Sequence, residues 1–128
     1  MKENPIFCAI DTNDIQKATS LLTDISPHIG GVKIGLEFFT SLGIKGIKEI
    51  KKFNKPLFID LKLYDIPNTV TASLRNILAL KPEYTTLHIS GGRKMLENCV
   101  EEKIRANSQT KLIGVTMLTS FDDKEINE

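Results

Sequence analysis

Five short runs of apolar and β-branched residues punctuate the chain: IFCAI (6–10), GVKIG (31–35), LFIDL (57–61), TTLHI (85–89) and KLIGVT (111–116). Each has the length of a buried strand. Helical periodicity fills the gaps. Ile15, Ala18, Leu22 and Ile25 recur at helical spacing behind Thr12 or Asn13 as cap. A second helical stretch runs from Leu36 to about Phe53, with Gly43 as a break inside it. A third starts at Asn68, after Pro67, with Val70, Leu74, Ile77 and Leu78 on one stripe. A fourth runs from about Gly92 to Ala106, with Met95, Leu96, Cys99, Val100 and Ile104 pointing inward. Strand and helix alternate about every 26 residues, which predicts a parallel sheet. No linker or low-complexity stretch interrupts the pattern, so residues 1–128 are expected to form one domain.

Two architectures fit this alternation. A five-stranded doubly wound sheet would be complete at this length. A (β/α)8 barrel needs roughly 200 residues or more, so the chain would cover only its first five strands. The first strand-to-helix turn, AIDTND, lacks the glycine fingerprint of a dinucleotide site. Hydrophobic patterning alone leaves both architectures open.

Composition narrows the function more than the fold. A formal net charge of +1 gives no electrostatic case for nucleic acid or membrane partners. Charges of both signs alternate along KGIKEIKK and ENCVEEKIR, the pattern of solvated helix faces. Cys8 and Cys99 have no metal-ligand spacing and read as small buried hydrophobes. With no signal peptide and no apolar run of spanning length, a cytoplasmic setting is expected.

The polar residues supply the chemistry. Asp11 follows the first strand, Lys33 lies in the second, and Asp60 and Lys62 end the third. His88 lies at the end of the fourth, and Thr116 and Thr119 at the end of the fifth. In parallel α/β folds, ligands bind at that end of the strands. Strand geometry turns Phe58, Asp60 and Lys62 one way and Leu57, Ile59 and Leu61 the other. Asp65 lies beyond the strand, in a loop where Pro67 keeps Ile66 out of the helical region. Two acids alternating with two lysines can neutralise one another, and a lysine between carboxylates keeps its proton, as a proton donor must. Each residue alone also fits a strand-end ion pair, a snorkelling lysine or a hydrogen-bonded histidine. No second histidine stands at ligand spacing from His88 to form a metal site.

Taken together, AIDT, GVKIGLEFF, FIDLKLYDIPNTV, LHISGG and GVTMLTS resemble the orotidine 5'-phosphate decarboxylase family over the whole chain. The third segment matches that family's D-x-K-x-x-D-I-P-N-T signature. The resemblance implies a (β/α)8 barrel that converts orotidine 5'-monophosphate to uridine 5'-monophosphate without metal or cofactor, acting as a homodimer with shared active sites. It implies that Asp11 and Lys33 hold the ribose hydroxyls, that Asp60 sits against the substrate carboxylate, and that Lys62 protonates C6. Asp65, Ile66 and Thr69 would reach the partner subunit's site. Thr119 and Ser120 would contact the pyrimidine, and His88 would lie near the ribose. Strands six to eight and the phosphate-gripping arginine of such a barrel have no counterpart here. Two other readings stay open. One is a magnesium-dependent sugar-phosphate decarboxylase of the same superfamily, which usually has an acidic residue where this chain has Lys33. The other is an inactive half-barrel that only binds a partner.

Overall fold

A computed structural model describes residues 4–127. Five parallel strands form a single sheet: β1 (Phe7–Ala9), β2 (Gly31–Ile34), β3 (Leu57–Leu63), β4 (Tyr84–His88) and β5 (Lys111–Val115). The helices α1 (Ile15–Ile25), α2 (Leu36–Lys51), α3 (Pro67–Leu78) and α4 (Gly92–Arg105) connect them, and the short α5 (Asp123–Asn127) follows β5. The strand order is β1-β2-β3-β4-β5, and every neighbouring pair is parallel. This order decides between the two architectures. A doubly wound sheet reverses direction at a switch point, whereas a barrel adds each strand beside the last.

The strands match the five apolar runs to within two residues at each end. The helix starts differ in instructive ways. Asp14, rather than Thr12 or Asn13, caps α1: its Oδ1 accepts from the N–H of Gln16 at 2.8 Å and of Lys17 at 3.2 Å. Thr12 instead accepts from the Asp14 N–H, one step outside the helix. Pro67 is itself the first helical residue of α3, where its missing N–H costs nothing. Gly43 does break α2, at φ 55° and ψ −153°.

One face of the sheet carries the core. Val32, Ile34, Leu57, Ile59 and Leu61 pack with Ala18, Leu22, Phe38 and Ile47 from α1 and α2. Val70, Leu74 and Leu78 of α3 meet Leu87, Met95 and Cys99 in a second cluster. Cys99 is buried as expected, while Cys8 is only half-buried. On α4 the inward stripe is Met95, Cys99 and Glu102. Val100 and Ile104, expected inward, are 49% and 71% exposed. Glu102 occupies the place an apolar residue would take because Arg75 and Arg105 both bond its carboxylate. Within ENCVEEKIR, Glu102 is therefore a buried acid beneath two exposed arginines rather than part of a solvated face.

The opposite face is lined by Phe7, Phe58 and Tyr84 near the strand starts. Their rings meet edge to face with centroids 5.7 to 6.4 Å apart. Two residues further along β3, at Asp60, that face turns from aromatic to charged.

Candidate active site

Strand periodicity brings the polar layer together. Lys33 lies on the same face of β2 as its register partners Ala9 and Phe58. Asp60 follows Phe58 by two positions and shares its side of β3. The two charges of FIDLK meet, and Lys33 joins them from the preceding strand. Lys62 Nζ donates to both oxygens of Asp60, at 3.0 Å to Oδ1 and 2.9 Å to Oδ2. Lys33 Nζ approaches Oδ2 from β2 at 3.4 Å. The Asp60 side chain is 11% exposed, against 29% for Lys33 and 39% for Lys62. A nearly buried carboxylate is thus wedged between two half-open ammonium groups.

Burial pushes the Asp60 pKa up, but hydrogen bonds from Lys62 and Thr86 and the charges of Lys62 and Lys33 outweigh it. The net effect holds Asp60 below the ordinary carboxylate range. It is an anion, with no proton to give. Lys62 has three N–H donors, of which two are spent on Asp60, leaving one to meet a ligand.

Thr86 completes this group, although the sequence does not single it out. Its hydroxyl donates to Asp60 Oδ1 at 2.9 Å and accepts from the backbone N–H of Lys62 at 2.8 Å. The signal was present: Thr86 lies two positions before His88 and so faces the same way.

The remaining candidates make no hydrogen bond to this centre. Asp11 follows β1, and its carboxylate lies against Gly35, 3.5 Å from where a side chain there would begin. His88 ends β4; its Nδ1 accepts from the Ser90 N–H at 3.2 Å, which leaves Nε2 to carry the ring proton. The His88 ring stacks on Tyr64 with centroids 5.5 Å apart. Asp65 is exposed and accepts from its neighbour's N–H, that of Ile66, at 2.6 Å. Ile66 is extended, at φ −59° and ψ 148°, as Pro67 requires, and 67% exposed. Thr69 is exposed in the first turn of α3, and Thr119 and Ser120 are exposed in the turn after β5. All of them lie at or beyond the strand ends, on the side where Lys62 sits.

A hollow of about 630 Å³ opens at the other end of the sheet, among Phe7, Lys55, Pro56, Glu83 and Tyr84. It lies at the strand starts, away from the lysine–aspartate group, and barrels of this kind place their chemistry at the opposite end. Among the described residues, no three His, Cys, Asp or Glu side chains are grouped so as to hold a metal ion. Nor is any helix among them long and apolar enough to cross a membrane.

Comparison with known proteins bears on the family and the fold. An orotidine 5'-phosphate decarboxylase from Wolbachia sp. subsp. Brugia malayi is 49% identical over 125 residues, covering 98% of this chain and 55% of that protein. The crystal structure of orotidine 5'-phosphate decarboxylase from Lactobacillus acidophilus superposes with a TM-score of 0.85 at 32% identity, over 97% of this chain and 58% of that one. The enzyme of that name from Pyrococcus horikoshii OT3 superposes with a TM-score of 0.72 at 22% identity, over 84% of this chain and 49% of that one, and bears on the fold alone. The fold is the first five strands of a (β/α)8 barrel, and the chain spans about half the length of the curated relatives it matches. Residues 4–128 match the model of the orotidine 5'-phosphate decarboxylase / HUMPS family, and with the lysine–aspartate group standing where its strands end, the chain belongs to that family.

Proposed function

We propose that the Lys33–Asp60–Lys62 group is the decarboxylating centre for orotidine 5'-monophosphate, giving uridine 5'-monophosphate and carbon dioxide. The observation that carries this reading is the doubly bonded Lys62–Asp60 pair at the strand ends of a chain from this family. Substrate carboxylate placed beside Asp60 meets a fixed negative charge. As the C6–carboxylate bond breaks, its electron pair stays on C6 in the ring plane. Lys62 Nζ lies beside that carbon and attracts the localised carbanion more strongly than the delocalised carboxylate. That difference is transition-state binding. Lys62 then passes a proton to C6, and the neutral amine recovers one from solvent.

In this reading Asp11 and Lys33 hold the ribose hydroxyls, and His88 lies close to the sugar. Thr119 and Ser120 contact the pyrimidine. Asp65, Ile66 and Thr69, exposed at the same end, reach into the site of a partner subunit in a homodimer. No step calls for a metal or an organic cofactor.

Decarboxylation of orotidine 5'-monophosphate, followed by its absorbance change with the purified chain, tests the assignment. Lys62→Ala is expected to abolish turnover while 6-substituted uridine nucleotides still raise the melting temperature. Near-normal turnover by that variant would remove Lys62 from the reaction. A requirement for magnesium would favour the sugar-phosphate chemistry instead.

A further inference from the structure

Between β3 and β4 the register slips. Ile59 stands opposite Thr85 and Leu63 opposite Leu87, so four steps along β3 match two along β4. Asp60, Leu61 and Lys62 together face the single residue Thr86. The slip is a bulge, the device that re-aims side chains beside functional sites. Its cost falls on Lys62, whose φ is 48°. Asn54, Lys81 and Asn107 share a positive φ, but each follows a helix end, where a left-handed residue is ordinary. Lys62 adopts it inside a strand, where any residue with a Cβ is disfavoured.

We propose that the Thr86 hydroxyl is the clamp that holds this bulge, and is thereby a positioning residue for Lys62. The bulge takes the Lys62 N–H out of the strand ladder, and Thr86 Oγ1 receives it at 2.8 Å. While its oxygen accepts that N–H, the hydroxyl proton is directed to Asp60 Oδ1 at 2.9 Å. One side chain therefore fixes the backbone of the lysine and the carboxylate that steers its ammonium group. Two donations reach Asp60 from this strand end: the Lys62 N–H bonds to Thr86, whose O–H bonds to Asp60, and Lys62 Nζ donates to the same carboxylate. A valine of the same shape would break both of the Thr86 bonds. A serine would preserve both. Thr85, next along β4, faces the core and cannot substitute.

The catalytic consequence rests on the decarboxylase reading; the clamp itself does not. Nuclear magnetic resonance on the whole chain separates the two. In the wild-type chain the Thr86 hydroxyl proton should exchange slowly enough to be seen, and the Lys62 amide should be protected. Thr86→Val should lose the amide protection and raise the Asp60 titration midpoint, while Thr86→Ser restores both. If turnover is measurable, Thr86→Val should lower kcat about 100-fold with KM nearly unchanged, the signature of a misplaced reacting group. A freely exchanging Thr86 hydroxyl in the wild-type chain overturns the clamp without recourse to any variant. So does a folded Thr86→Val chain with a protected Lys62 amide and an unchanged Asp60 midpoint. Loss of both signals in Thr86→Ser overturns it too. Absence of turnover in the wild-type chain counts against the decarboxylase reading alone.

Discussion

Asp60 is held as an anion by four bonds from three side chains, and this links the site to the stability of the fold. Its folded pKa lies below its unfolded one, so the unfolded chain binds more protons in acid. The stability it contributes is complete above the ordinary carboxylate range, near pH 3.9, and is lost as pH falls through the lower folded value. Glu102 works in the same direction, lowered chiefly by its hydrogen bond from Arg75. Urea midpoints measured between about pH 5 and pH 2 should therefore fall with acidification, and Asp60→Asn should flatten that fall without removing it. An unchanged slope in the variant would mean that Asp60 is not held low. Thr85 offers the opposite case. Its hydroxyl is wholly buried with no hydrogen-bond partner. Thr85→Val replaces an unsatisfied polar group with one of the same shape and should stabilise the chain by about 1 kcal/mol in urea unfolding.

At the scale of elements, α2 shows how a single glycine shapes a helix. Gly43 sits at φ 55° and ψ −153°, a conformation open almost only to glycine, and a side chain built there would touch nothing within 4 Å. The cost of Gly43→Ala is thus backbone strain alone, about 1 to 3 kcal/mol, read as a lower urea midpoint with an unchanged slope. A loss well below that range would mean that α2 straightens to accept alanine. This break was legible because glycine inside a helical stretch is a local signal. The strands were legible for the same reason: β-branched runs and period-2 alternation are written within a few residues. Val100 and Ile104 misled because a helical stripe was counted on α4 alone. Its true inward edge is set by Arg75, which is 27 residues away in sequence from Glu102 and rewards burial of an acid. Parity puts Lys33 and Asp60 on one face, but the bulge that aims Lys62 at Asp60 was not legible. No residue type in FIDLKL announces a left-handed lysine; it exists because Thr86 on the next strand accepts its N–H.

At the scale of the whole molecule, sheet order decides what is exposed. With β1 and β5 at the two margins, each has hydrogen-bonding groups on one side that no described strand pairs. Edges of this kind template further pairing unless they are short, charged or covered. β1 has only three residues, which limits it. β5 has five, and its lysine stands at the start rather than the middle. Past it lie Met117, Leu118 and Phe121, at 47%, 37% and 41% exposure, with Ile113 at 37% on the strand itself. An open edge beside a run of apolar side chains favours association over a solvated monomer. Sedimentation velocity between about 10 μM and 1 mM should show the average mass rising with concentration. Replacing Met117 and Phe121 together with lysine should shift the chain towards monomer without touching Lys33, Asp60, Lys62 or Thr86. A single monomeric boundary across that range in the unaltered chain would mean that the β5 margin is protected, and the lysine pair would then change nothing.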